Sequence, residues 1–447
     1  MSERSNTCRW AVISLLLVIT CNRAFAGKTL YVDDDGPADF NNIQAAIDAS
    51  IDSDVVLVAP GTYTGEGNRD IDFKGKAITV KSEEGPQACI IDCQGSEDEQ
   101  HRGFYFHNGE DANSVLQGFT ITNGYISHSG GGGIFCNASS PRVENCTVTR
   151  NVAWSAGGIA CEHSNSVIAN CIISDNTASF RPSGWYGATE GAGGGITLSS
   201  GRRNGERPML INCIVSGNRA SEYGGGISCS GGNPVISNCT VYGNRTGGWG
   251  FGGGITSGAG HGCKVLVHNC IIWGNTARTG EQISHKFGGI LGEMILNLSY
   301  SSVQDGPNAP FIEGHWTSEE PYFTNPGQWD PNGTQDNRYD DFWVDGDYDY
   351  HLKSQAGRWD PNSQSWVQDD VTSPCIDSGD PNSPIGLEPF PNGGIINIGA
   401  YGGTAESSKS YFGQPVCETI IAGDINGDCK VDFADFAIMA AHWLEER

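Results

Sequence analysis

Gly224-Gly225-Gly226-Ile227 and the downstream Asn238-Cys239-Thr240-Val241-Tyr242-Gly243-Asn244 are two phrases of one repeat. The glycine run recurs as Gly131-Gly132-Gly133-Ile134, Gly157-Gly158-Ile159, Gly193-Gly194-Gly195-Ile196, Gly252-Gly253-Gly254-Ile255 and Gly288-Gly289-Ile290. The Asn-Cys pair recurs as Asn145-Cys146, Asn170-Cys171, Asn212-Cys213 and Asn269-Cys270, each leading into a short apolar alternation that ends in Asn. The shortest interval, Cys146 to Cys171, is 25 residues. That is too short for a propeller blade and fits one coil of a parallel β-solenoid, with longer intervals marking loops inserted at one turn. A single coil cannot bury its apolar face, so the repeat predicts stacking.

Outward from the repeat, Thr29-Leu30-Tyr31-Val32 reads as a strand. Asn41 to Ser50 reads as an amphipathic helix, capped by Asp39, with Ile43, Ala46, Ile47 and Ala49 inward. Such a helix plugs the open first coil. Residues 54–63, Ala77 to Val80 and Phe119 to Asn123 read as further strands. With these parts in place the chain resembles the pectate-lyase-like right-handed parallel β-helix superfamily over roughly residues 28–300. The resemblance implies a fold and leaves activity open. The expected architecture is all-β, a right-handed parallel β-helix over 27–304 with an N-terminal capping helix. Residues 305–415, rich in Asp, Asn, Trp and Pro, read as irregular capping loops ending in one strand, Ile395 to Tyr401; residues 416–447 form a small α segment.

Arg4 and Arg9, the apolar run Trp10 to Ile19 and the Ala24-Phe25-Ala26 cleavage pattern read as a signal peptide over 1–26, so the expected location is extracellular or at the cell surface. Acylation at Cys21 is the weaker alternative, since Thr20 stands where a small residue is usual. No stretch reaches the roughly 20 apolar residues of a membrane span. A net charge of −26 without a Lys/Arg cluster argues against nucleic acid and fits an extracellular, cation-binding protein.

Cys146, Cys171, Cys213, Cys239 and Cys270 fall at equivalent coil positions and predict an internal column about 4.8 Å apart. A zinc site would show short CxxC-type pairs, which are absent. Cys89 with Cys93, and Cys417 with Cys429, are disulfide candidates. The asparagines beside the cysteine column read as a ladder, their amides bonding coil to coil.

The strongest chemical motif is Asp424-Ile425-Asn426-Gly427-Asp428-Cys429-Lys430-Val431-Asp432-Phe433-Ala434-Asp435. Asp424, Asn426, Asp428, Asp432 and Asp435 place oxygen donors at loop positions 1, 3, 5, 9 and 12, and Lys430 offers its carbonyl, which is the set Ca2+ requires. Phe436, Ala437, Ala440 and Trp443 follow at helical spacing. The loop and helix resemble half of a dockerin, which implies a cohesin-like protein partner. Cys429 replaces the turn glycine and only one repeat is present, so Ca2+ binding is the firmer implication.

Catalysis is less legible. Hydrolysis of a sugar chain needs two facing carboxylates, and Asp175 is the only Asp between Gly118 and Tyr300, while Glu144, Glu162, Glu190, Glu206, Glu222, Glu281 and Glu293 form no evident pair. A carboxylate cluster for a calcium-dependent lyase is missing there too, which leaves Asp70, Asp72 and the loops around Asp340, Asp341, Asp345 and Asp347. If the chain is an enzyme, elimination is expected over hydrolysis. Binding has more residues behind it: Trp154, Tyr223, Phe251 and Phe287 precede glycine runs, with Trp185, Tyr186 and Trp249 nearby. Arg219 and Arg245 follow equivalent asparagines and are expected to stack at that edge, too like-charged to be buried together. Trp154, Tyr223, Trp249, Phe251, Arg219 and Arg245 would then form a strip for an extracellular polysaccharide. The competing reading is a structural or adhesive surface protein, supported by similarity to the Gly-Gly-x-Ile repeats of polymorphic outer-membrane proteins.

Overall fold

The computed structural model describes residues 27–179, 191–199, 205–247, 250–258, 264–285, 295–306, 312–333, 341–344, 348–413, 423, 425 and 430–442. Within them the chain winds into a parallel β-solenoid. One coil is traced by Ile134–Asn137, Arg142–Glu144, Thr147–Thr149 and Val152–Ser155 before the path returns to Ile159–Glu162. Stacked coils generate four sheets: A, 11-stranded, from Thr29–Val32 to Ile312–Glu313; B, 10-stranded, from Gly61–Tyr63 to Trp316–Thr317; C, 7-stranded, from Phe104–Phe106 to Ile283–His285; and D, a 5-stranded ribbon from Tyr125–Gly130 to Arg245–Thr246.

On sheets A, B and C register is kept residue for residue, so equivalent side chains form columns. Val143, Ile168, Leu210, Ile236 and Val267 line sheet A; Val148, Ile173, Val215, Val241 and Ile272 line sheet B. All ten are buried. Each contributes about 1.5–3 kcal/mol over an exposed state, which no single coil could collect alone. The glycine runs follow from coil spacing: a Cβ on Gly225 would lie 2.5 Å from the carbonyl oxygen of Gly253 in the next coil.

The five repeat cysteines form the expected inward column. The Cys146 N–H donates to the Cys171 Sγ at 3.4 Å, and the Cys171 and Cys239 N–H groups do the same to Cys213 and Cys270. The asparagine ladder is different from the expected one. Asn145, Asn170, Asn212, Asn238 and Asn269 occupy the left-handed region at φ 50 to 54°, which Asn tolerates better than other non-glycine residues. The coil-to-coil ladder is built by the asparagines that close each phrase. Asn151, Asn176 and Asn218 donate their backbone N–H to the side-chain oxygen of Asn176, Asn218 and Asn244, each at 3.0 Å. Asn244 does the same to Asn275 at 2.9 Å, and Gln282 ends the series.

Helix α1 (Ile43–Ala49) plugs the first coil with Ile43, Ala46 and Ile47. Its N-cap is Asn42, which accepts from Ala45 N–H, while Asp39 accepts from Tyr31 N–H instead; Ala49 is exposed. Cys89 and Cys93 are buried free thiols. Cys89 opens the strand Cys89–Asp92 and Cys93 follows its end, a four-residue separation along an extended chain that exceeds disulfide reach. Cys417 and Cys429 lie outside the described residues.

The segment 321–412 packs along the flank of the solenoid. Phe323, Tyr350, Leu352, Ile376 and Ile398 cover Ile214 and Ile271 on the outer face of sheet B. No strand forms at 395–401. Its backbone groups are taken by other partners: Gly399 N–H by Asn269 O, and the carbonyls of Ala400 and Gly402 by the side chain of Asn212. The left-handed asparagines of the later coils thus hold the flanking segment.

Candidate functional site

Strand alternation on sheet C turns Ile and Cys inward and their neighbours outward. Two outward columns result: Phe135, Ala160, Thr197, Ser228 and Thr256, and beside them Asn137, Glu162, Ser199, Ser230 and Gly258. The columns from Glu162 and Thr197 onward, together with Ser155, Ala192 and Tyr223, line an open cleft of about 200 Å3. Tyr223 stands in its wall and pairs across the adjacent coil with Phe251, the two rings parallel within 10° and their centroids 5.8 Å apart. The floor is rich in hydroxyls held in place by the backbone; Thr256 Oγ1, for example, donates to Phe251 O at 2.8 Å.

The N-terminal end of this face is aromatic. Tyr105 and Phe135 stack at 5.3 Å, His107 stacks on Tyr105 at 3.9 Å, and the Arg102 guanidinium lies 5.0 Å over both the Tyr105 and Phe135 rings. Arg102 is fixed by hydrogen bonds to Gly130 O and Ser129 Oγ. Burial raises the carboxyl of Glu162 above its usual range, opposed by the charges of His163 and Arg102. Glu162 is the one carboxylate among the described lining residues, and no lysine or arginine is among them.

Of the expected strip, Tyr223 and Phe251 come together here. Trp154 is half-buried and one residue out of the column: its neighbour Ser155 pairs with Gly130, and Ala192 pairs with Tyr223. Trp185, Tyr186, Trp249 and Phe287 lie outside the described residues. Arg219 and Arg245 stand in register on ribbon D, but the flanking segment covers them. Arg245 Nη1 is 2.5 Å from Asp341 Oδ2, with side-chain exposures of 6% and 10%. The guanidinium of Arg245 lies 3.4 Å over the Trp329 ring and that of Arg219 lies 5.2 Å away. Both arginines also donate to Asp341 O. The expectation that their like charges would keep them exposed is therefore corrected for Arg245, which is buried against the Asp341 carboxylate and the Trp329 ring, while Arg219 is half-buried.

The edge carboxylates are engaged separately. Asp70 Oδ2 meets His101 Nδ1 at 2.5 Å, and Asp72 accepts from Asn108 Nδ2 at 2.9 Å. In the terminal loop, Asp424, Asn426 and Asp428 lie outside the described residues. Lys430 and Asp432 are exposed, while Asp435, at the start of helix α2 (Phe433–His442), is buried. Its carboxylate turns into the loop, accepting from Ile425 N–H at 2.6 Å and Asp432 N–H at 2.8 Å. Among the described residues this carboxylate ties the two ends of the loop to each other.

Residues 56–205 match a family model described as right handed beta helix region. This part of the chain is a right-handed β-helix. Residues 327–379, within the flanking segment, match a model described as disaggregatase related. Among solved structures, the pectate lyase Pel9A aligns at TM-score 0.47 and 17% identity, covering 84% of this chain and 96% of that one. A pectin methylesterase from carrot aligns at TM-score 0.34 and 13% identity, over 65% of this chain and 78% of that one. A rhamnogalacturonan lyase aligns at TM-score 0.33 and 15% identity, over 67% and 91%. No curated protein sequence matches the chain. The residues of the β-helix that sequence reasoning missed are Tyr105, Phe135, Arg102 and the hydroxyl rows. Their signal was the alternation in phrases such as Ile134-Phe135-Cys136-Asn137, whose intervening positions face outward.

Proposed function

We propose that this is an exported protein that binds an extracellular polysaccharide in the cleft on sheet C. The observation that carries the reading is a hydroxyl-lined groove with Tyr223 in its wall, its ring stacked on that of Phe251. Aromatic faces take the C–H faces of pyranose rings, and rows of Ser and Thr exchange hydrogen bonds with sugar hydroxyls. A groove crossing several coils suits a polymer. With Glu162 the one carboxylate among the described lining residues, binding is supported over hydrolysis, which needs two. Affinity electrophoresis through gels cast with neutral and acidic polysaccharides tests this. Tyr223→Ala and Phe251→Ala are expected to lose retardation while keeping the parental Tm; a retardation equal to that of the parent in both variants sinks the cleft.

The terminal segment is proposed to bind Ca2+ through Asp424, Asn426, Asp428, the Lys430 carbonyl, Asp432 and Asp435, and to serve attachment. Phe433 and Phe436 are 88% and 56% exposed on α2, apolar surface that suits a cohesin-like partner. Calorimetric titration of the full chain with CaCl2 is expected to give saturable binding that Asp424→Ala abolishes. Binding of the same strength in that variant would remove the loop from consideration.

A further inference from the structure

The corner between sheets A and B is built five times with a left-handed Asn, from Asn145 to Asn269. In the next coil the pairing of His268 with Ser299 brings Tyr300 to the same corner, and its φ is 48°. Asparagine accepts this backbone readily; a bulky ring does so only at a cost. The adjoining column position changes as well, from Cys270 to Ser301, whose hydroxyl accepts from Cys270 N–H at 3.0 Å. The coil therefore keeps the strained corner and replaces its side chain with an aromatic one.

Tyr300 lines a cavity of about 280 Å3 together with His315, Trp316, Thr317, Ser378 and Ile398. The Tyr300 and His315 rings are 6.3 Å apart and tilted by 44°, and Trp316 remains 43% exposed. None of these residues lines the sheet C cleft. The volume is at the small end for ligand pockets. Its walls are aromatic, with hydroxyls from Thr317 and Ser378 and no described lysine, arginine or carboxylate among the lining residues. We propose that this cavity is a second binding site, separate from the cleft, that takes one neutral pyranose unit against Trp316 and Tyr300. The ligand class follows from that lining: planar apolar faces match the apolar faces of a sugar ring, and the hydroxyls match its edge.

The test follows the indole N–H resonance of Trp316 in the full chain, assigned by its loss in Trp316→Phe, during titration with glucose, galactose and galacturonic acid. Glucose or galactose is expected to displace it saturably. Tyr300→Asn restores the residue used at the other corners, so it is expected to fold with an equal or higher Tm while binding at least about tenfold more weakly. Tyr223→Ala, in the cleft, is expected to leave this titration unchanged. No displacement by either neutral sugar, displacement by galacturonic acid alone, or parental affinity in Tyr300→Asn would each overturn the proposal. The polysaccharide reading of the cleft stands or falls separately, on gel retardation.

Discussion

Arg245 is the residue whose structural role differs most from its place in the sequence pattern. Its ion pair with Asp341 joins positions 96 apart and is nearly closed to solvent. Removing one partner of such a pair strands the other charge, at a cost of about 3–5 kcal/mol. Asp341→Ala is therefore expected to lower unfolding free energy in urea by that order, and a loss within about 0.5 kcal/mol, as at ordinary surface sites, would contradict the burial. Glu388 makes a pH-dependent case. Burial pushes its carboxyl up to about 7, against N–H donors from Gly403 and Asn397. Between about 4.5 and 7 the folded chain then holds a proton that the unfolded chain has released, so stability falls as pH rises through that window. Glu388→Gln keeps an acceptor for both N–H groups and removes the ionisation. The loss of stability between pH 5 and 8 is expected to shrink by an amount on the order of 3 kcal/mol. Melting curves across that range decide it, and an unaltered slope in the variant rejects the assignment.

At the scale of elements, the repeat made the solenoid legible because in-register stacking reproduces one set of demands every coil: glycine for close approach, an apolar residue inward, asparagine at a corner. The same regularity hid which asparagine does what. Both recur with the coil period, and only the structure separates the left-handed Asn212 from the ladder-forming Asn218. The two roles predict unequal consequences. Asn218 is buried, and its side chain bonds Ile173 O and Asn244 Oδ1 while accepting from the Asn176 N–H. Asn218→Ala leaves several buried groups without partners, each costing about 1–3 kcal/mol. Asn170, at a left-handed corner with an exposed side chain, is expected to tolerate Gly with far less loss. Equal destabilisation of the two variants in urea would show that the ladder has been assigned to the wrong column. Residues Ile395 to Tyr401 form no strand for a related reason: their β-branched run is apolar because it packs on sheet B, while its hydrogen bonds go to corner residues and turns.

For the whole molecule, the fold was readable and the arrangement of the flank was not. Coil spacing, plug helix and inward columns follow from local sequence; the packing of 321–412 depends on contacts across more than a hundred residues. That is also why the candidate site moved. With Arg219 and Arg245 engaged by the flank, the open surface passes from ribbon D to the outer face of sheet C, beside Tyr223.

The flank has a mechanical consequence. Asn212, Asn238 and Asn269 belong to three successive coils, and all three bond to the 380–402 stretch. That stretch runs across the coils like a splint, loading their corner amides in parallel. Tension along the solenoid axis then meets two materials in series: N-terminal coils held to one another by strand pairing, which peel one at a time, and a splinted block that must shear as a unit. A pull applied to the two ends of the solenoid would unravel it from the N-terminal side, with the splinted end yielding last.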